Sequence, residues 1–315
     1  MIKLKNLKKV ISITVLILIV VLCGIYIYTH FSDFKQLSLV RPEYIFVLLV
    51  FGLFNSWTNG LIIKYVAEPF DIKLKFKEWF GLSIITSFYN LITPFKGGLA
   101  AKAVYLKQRH NFSYTNFLAT WMGIYVINFF AASFLGLISL YFIYLKYNIF
   151  NVIVLFIFLA FLIPTLIIIL FSPEFKETKH EFINKFIRVL NGWNIVRKNK
   201  KIVVMASIII IAQILINSFS CMIAYDIFNI KIGIEKAIFL STISIVGILV
   251  QITPAGLGIN EVLAVFFGLV VGITPAQALT VAILGRIISV LIMFTLGPIY
   301  SFVLIKKDKV SKTGV

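Results

Sequence analysis

Long apolar runs separated by short basic stretches dominate the chain. They extend over Val10 to Thr29, Pro42 to Tyr65, Trp79 to Phe95, Thr115 to Leu145, Phe150 to Phe171, Ile202 to Phe228, Ala237 to Ile252, Leu257 to Gly272 and Pro275 to Ile305. A helix that crosses the hydrocarbon core of a bilayer needs about 20 apolar residues, and most of these runs are long enough. Two are cut short by a Thr-Pro step, Thr93-Pro94 in ITPFKGGLAA and Thr253-Pro254 in ITPAGLGINE. Each shortened run is predicted to form one arm of a hairpin. Because lipid forces every backbone polar group to be satisfied within the segment, the spans are helices. The expected fold is therefore an all-α polytopic membrane protein of about six full spans plus two opposed Pro/Gly-broken hairpins. The first run follows Lys3, Lys5, Lys8 and Lys9 and lacks a small-residue cleavage site, so it reads as a retained span.

The two hairpins stand in a repeat. An ungapped shift of 160 residues lays Ile92-Thr93-Pro94 on Ile252-Thr253-Pro254 and Gly98 on Gly258. The span before each hairpin carries two amides four residues apart, Asn55 and Asn59, then Gln213 and Asn217, and four residues apart means one helical face. Asn90 and Gln251 lie just before the breaks. The organisation expected is one transmembrane domain over 1–315. Its first half is 1–171 with a hairpin near 78–109, a basic loop covers 174–201, and its second half is 202–315 with a hairpin near 236–272. Weak internal symmetry with Gly/Pro-interrupted segments at corresponding positions points to a transporter-type site near the midplane.

Composition agrees: 60% of residues are hydrophobic and 13% charged, with a mean hydropathy of +1.01, against about 45–50% apolar in soluble domains. The formal charge of +18 is spread over span ends instead of gathering on a soluble domain, so no nucleic-acid partner is expected. With both termini cytoplasmic, 23 of the 30 Lys and Arg fall inside, 5 outside and 2 within apolar sequence, which obeys the positive-inside rule and suits a cell (cytoplasmic) membrane. The first hairpin then opens from the cytoplasmic face and the second from the outer face, so the halves are inverted. In the loop, Phe182, Ile183, Phe186, Ile187, Leu190 and Trp193 recur at helical spacing around Lys185 and Arg188. That pattern fits a helix lying on the anionic leaflet, with a solvated connector as the alternative. Cys23 and Cys221 suggest neither a disulfide nor a metal cluster. No catalytic triad, zinc spacing or phosphate-binding loop motif is present, so neither an enzyme nor a cofactor or metal requirement is expected.

Charges inside lipid identify the candidate chemistry, since each costs about 2.5–3.5 kcal/mol at a helix centre on the insertion scale. Glu261 and Arg286 flank the turn near Gly272 to Pro275 at 12 and 13 residues from Ile273, hence about 18–20 Å below it on helical arms. An ion pair at matching depth is expected, either fastening the second hairpin or holding an anionic head group. In the first hairpin, Lys96-Gly97-Gly98 precedes a helix that also carries Lys102. Glycine-permitted approach to a helix N-terminus is an anion-binding arrangement. Gly256 and Gly258 are the corresponding glycines of the second hairpin.

The stretch TPAGLGINEVLAVFFGLVVGITPAQALTVAILGRIISVLIMFTLG, 253 to 297, resembles the second motif of the lysylphosphatidylglycerol synthase transmembrane, or flippase-like, family. Pro254, Gly256, Gly258, Glu261 and Arg286 carry the resemblance. The first-half motif is matched by Pro94, Gly97, Gly98 and Lys102. Leu99, Ala100 and Ala101 supply no carboxylate there, and Trp121 to Tyr125 supply no Glu-Arg pair. The resemblance implies a membrane domain like that of multiple peptide resistance factor, without its soluble synthase domain. It also implies translocation of a phosphate-bearing lipid such as aminoacyl-phosphatidylglycerol or a prenyl-linked glycolipid. The substrate-binding set is then Lys96, Gly97, Gly98, Lys102, Gly256, Gly258, Glu261, Arg286 and the amides Asn55, Asn59, Gln213 and Asn217. The alternative is a non-catalytic accessory subunit for a separate lipid-modifying enzyme, docked through the basic loop. An oligomer is compatible with either.

Overall fold

A computed structural model of the chain describes residues 28–29, 39–93, 96–172, 174–176, 178–243, 246–247 and 253–311. The described residues form ten helices and no strand: α1 (Tyr44–Ala67), α2 (Phe76–Ile92), α3 (Gly97–His110), α4 (Tyr114–Tyr147), α5 (Val152–Phe171), α6 (Glu181–Arg197), α7 (Lys200–Asp226), α8 (Ile234–Thr242), α9 (Ile259–Val270) and α10 (Pro275–Ser311). Five are long and apolar enough to cross a bilayer, those within Tyr44–Phe70, Tyr114–Tyr147, Val152–Phe171, Lys200–Asp226 and Pro275–Leu304. The protein is an all-α, multi-pass membrane protein. The remaining expected span, Val10 to Thr29, lies largely outside the described residues, as do Cys23, Pro94, Gln251 and Ile252.

Helix starts follow local chemistry. Ser113, Asn151 and Asn199 stand at the N-caps of α4, α5 and α7, and their side-chain oxygens accept from Asn116 N (3.1 Å), Val154 N (3.1 Å) and Ile202 N (3.2 Å). Each bond satisfies one N–H that the first turn leaves without an intrahelical acceptor. Asn111, Asn148 and Ser172 end α3, α4 and α5 in the left-handed region, where short polar side chains are tolerated.

The 160-residue repeat survives in three dimensions. Adding 160 to the bounds of α1 gives 204–227, beside α7 at Lys200–Asp226, and adding it to α4 gives 274–307, beside α10 at Pro275–Ser311. The same shift relates α2 to α8 and α3 to α9. Packing obeys the exchange too: α1 packs on α7, while α2 packs on α10 as α8 packs on α4. Arg41, ahead of α1, pairs with Asp226 at the end of α7. Glu68, past the end of α1, takes Lys201 from the start of α7 at 2.6 Å. The two equivalent helices thus run antiparallel, as an inverted repeat requires.

The symmetry breaks at the second hairpin arms. Helix α3 packs chiefly on its own partner α2, whereas α9 packs on α10 and also meets Phe239 of α8 through Phe267. Glu261 and Arg286 tie α9 to α10, and the positions 160 earlier are Ala101 and Val126, which can form no such tie. The tie between the second hairpin arm and its neighbouring span thus has no counterpart in the first half.

The helical spacing read in the basic loop corresponds to a helix, α6. It docks on α4, burying Ile187, Trp193, Asn194 and Val196, with the Trp193 indole donating to Ser172 Oγ at 3.1 Å. Glycines make the approach close: a Cβ on Gly192 would lie 2.2 Å from the Ala119 carbonyl oxygen, and one on Gly123 2.5 Å from Val196. The apolar residues at helical spacing thus include a protein-facing set, although Ile183 and Ile195 remain exposed.

Candidate functional site

Polar side chains from both halves converge on a cavity of about 470 Å³. Helix α1 contributes Asn55, Ser56 and Asn59, α2 contributes Ser87 and Asn90, and α10 contributes Gly285, Arg286 and Ser289. The turn before α9 brings Ala255 and the first turn of α9 brings Asn260 and Glu261, and the turn before α9 packs against α2. The first hairpin therefore meets the tip of the second at the cavity wall.

Arg286 and Glu261 form the expected pair. Glu261 Oε1 accepts from Arg286 Nε at 3.0 Å and from Nη2 at 2.7 Å, and its Oε2 accepts the Gly258 N–H at 2.7 Å. The third guanidinium nitrogen, Nη1, donates to the Ala255 carbonyl at 3.0 Å, which also accepts from Asn260 Nδ2 at 3.1 Å. Both carboxylate oxygens are thus occupied, and the arginine pins the turn as well as the acid. That turn needs pinning because Ala255 sits at φ +49°, followed by Gly256 at +64° and Gly258 at +83°. An L-residue pays about 1–2 kcal/mol for such a conformation, which explains why glycine fills the other two positions.

The hairpin glycines act differently from the expectation that their N–H groups receive an anion. Gly258 N–H is taken by Glu261, and Gly98 N–H by Asn90 Oδ1 at 2.9 Å. A Cβ on Gly98 would lie 1.8 Å from the Thr86 carbonyl oxygen, and one on Gly97 2.2 Å from Thr93 Oγ1. These glycines let α3 lie against α2. Gly256 faces Asn260 in the same manner, 2.7 Å from a built Cβ to Nδ2.

The amide faces meet across α1 and α7. Asn55 Nδ2 donates to Asn217 Oδ1 at 3.3 Å, and Gln213 Nε2 to Thr58 Oγ1 at 3.1 Å. Only Asn55 and Asn59 reach the cavity wall; Gln213 and Asn217 are not among its lining residues and brace the two equivalent helices from behind.

Lys96 and Lys102 line a second, smaller cavity of about 170 Å³ that shares Asn59, Ser87 and Asn90 with the first. Lys102 Nζ lies 3.5 Å from the Trp121 ring centroid, and Lys96 Nζ lies 5.7 Å from that of Tyr125. Sequence reasoning missed Ser83, Ser87, Asn260, Gly285, Trp121 and Tyr125. A signal existed for part of this set: Ser83, Thr86, Ser87 and Asn90 are spaced i, i+3, i+4, i+7, a polar stripe on one helical face. No group of three or more metal-ligating side chains occurs among the described residues.

A family model described as lysylphosphatidylglycerol synthase TM region matches residues 9–297. No curated protein and no solved structure matches the chain.

Proposed function

The chain belongs to the lysylphosphatidylglycerol synthase transmembrane-region family, and from that premise we propose that it moves the head group of a phosphate-bearing lipid between leaflets. The observation that carries this reading is the polar cavity built jointly by α1, α2, the second hairpin tip and α10. A polar cavity inside lipid-embedded helices is expensive to maintain, and its walls belong to both members of an inverted repeat, the arrangement in which rocking one half against the other alternates access. Helix α9, the second arm of that hairpin, has 12 residues, about 18 Å at 1.5 Å per residue. Such a length suits a re-entrant arm reaching the midplane. The basic punctuation supports cytoplasmic termini.

In this reading Arg286 is the pivot. Its guanidinium is held by Glu261 and the Ala255 carbonyl while it faces the cavity beside Ser289 and Asn55. A phosphate oxygen competes with the carboxylate for the same fork, so the tie between α9 and α10 loosens as the head group binds. No covalent step is involved.

The test is reconstitution into vesicles carrying a head-group-labelled phospholipid, with leaflet exposure read by chemical quenching. Arg286→Ala combined with Lys96→Ala is expected to reduce translocation at least tenfold. Unchanged translocation in that variant would sink the assignment of the site. A protein that retains lipid yet moves none, in wild type as well, would favour the accessory-subunit alternative.

A further inference from the structure

The smaller cavity narrows the substrate class, an inference that rests on the lipid-handling reading above. Lys102 is only 3% exposed and makes no hydrogen bond or ion pair among the described residues; its ammonium lies against the Trp121 ring at 3.5 Å, with Phe117 at 6.0 Å. Ring quadrupoles attract an ammonium, but by less than burying an ion costs. In the same cavity the Ser83 hydroxyl is buried and has no hydrogen-bond partner among the described residues. Asn90 gives its carbonyl oxygen to Gly98 N–H, which leaves its NH₂ group at the junction of the two cavities. A buried cation, an orphaned hydroxyl and an amide donor around one space are a set of donors short of an acceptor.

The charge balance points the same way. Together the two cavities are lined by three cations, Lys96, Lys102 and Arg286, and by one carboxylate, Glu261, among the described residues. Arg286 is balanced by Glu261, which leaves Lys102 as a buried cation with no anionic partner among the described residues. Glu261, the one described carboxylate lining the cavities, is engaged by Arg286 and the Gly258 N–H. An ammonium on the head group would have to compete with those donors and would face Lys102 across a small, low-dielectric space.

We propose that the Lys102–Ser83–Asn90 cavity is a phosphate station, and that the lipid handled carries a phosphomonoester or diphosphate head group without a cationic substituent. The 170 Å³ space suits the phosphate itself, and the shared wall of Asn59, Ser87 and Asn90 leads on to the larger cavity at Arg286. The phosphate supplies the anion that Lys102 lacks. An aminoacylated phosphatidylglycerol brings the opposite sign.

Native mass spectrometry of the full chain in detergent measures binding without requiring transport. The probes are short-chain phosphatidic acid, short-chain lysyl-phosphatidylglycerol and inorganic phosphate. Wild type is expected to bind phosphatidic acid at least tenfold more tightly than the lysyl lipid, with inorganic phosphate competing only weakly. Lys102→Met is expected to lose at least tenfold in affinity for phosphatidic acid. Ser83→Ala, a smaller change that keeps the cation, should lose two- to fivefold. Equal or tighter binding of the lysyl lipid overturns the proposal, as does unchanged affinity in both variants. Inorganic phosphate that competes as tightly as the lipid overturns the lipid assignment. Selective binding without translocation in vesicles leaves this inference standing while removing transport; translocation of the lysyl lipid with no preference for phosphatidic acid does the reverse.

Discussion

Arg286→Met tests whether the ion pair holds the second hairpin in place. The substitution strips Glu261 Oε1 of its bonds at 3.0 and 2.7 Å and the Ala255 carbonyl of one at 3.0 Å. Glu261 stays behind at 8% exposure with the Gly258 N–H as its remaining donor. Removing one partner of a buried pair costs about 3–5 kcal/mol because the other charge is left uncompensated. The side chains here are 20% and 11% exposed and border a cavity, so the lower end, about 3 kcal/mol, is the appropriate figure. Replacing both charges with Glu261→Met and Arg286→Met removes the stranded ion; the Gly258 N–H then loses its acceptor, at about 1 kcal/mol. The double variant is thus expected to be about 2 kcal/mol more stable than Arg286→Met alone, and the coupling energy exceeds that figure by the cost of Glu261→Met alone. Equilibrium unfolding of all four proteins in one detergent at pH 7 closes the cycle. A coupling below about 0.5 kcal/mol would mean that each side chain is satisfied independently, and the argument from the pair's geometry would fail. Glu261→Gln separates stability from binding: it weakens the tie yet frees the guanidinium, so affinity for an anionic lipid is expected to rise as stability falls.

Three further perturbations probe the surroundings. Gly98→Ala forces a Cβ to within 1.8 Å of the Thr86 carbonyl; α3 must move off α2, at a cost of about 1–3 kcal/mol, seen as a lower melting temperature. At Gly285 a built Cβ meets nothing within 4 Å and the residue lines the larger cavity, so Gly285→Phe should leave the melting temperature near wild type while blocking lipid translocation. Equal destabilisation at the two glycines would contradict the packing described. Glu235, at the entrance to α8, is subject first to burial, which raises its carboxyl pKa, yet the Tyr147 hydroxyl at 2.6 Å, its own backbone N–H and the Lys146 ammonium at 3.1 Å together hold it below the ordinary value. A depressed folded pKa stabilises above the unfolded value, about 4.3, and that stability is lost as pH falls through the lower folded value. Melting curves taken from pH 7 downward should show an acid-dependent loss that is smaller in Glu235→Gln.

The motif residues themselves were read unevenly from the sequence. Glu261 and Arg286 were legible as a pair because equal distances along two helices from one turn impose equal depth, whatever the packing. Gly98 and Gly258 were legible as special positions, but not as residues whose N–H groups are already taken by Asn90 and Glu261. The serines and asparagine of α2 formed a readable stripe that the stronger Pro/Gly signals obscured. Trp121 gave no such cue, since an aromatic residue on a long apolar helix is ordinary until a lysine from another helix lies 3.5 Å above it.

What the sequence by itself determined is the set of helices, their approximate ends and the existence of a repeat. In lipid each helix must close its own backbone hydrogen bonds and present apolar side chains, and both conditions act along the chain, so both leave a local trace. Only the tertiary structure decided that α6 docks on α4, that Gln213 and Asn217 brace α1 instead of facing the cavity, and that α9 is tied to α10. Those outcomes depend on which faces approach closely enough to touch, as at Gly192 against Ala119, or to pair, as at Arg286 with Glu261. The partners are far apart in sequence, and helix packing in a bilayer is set by such close contacts and not by hydropathy.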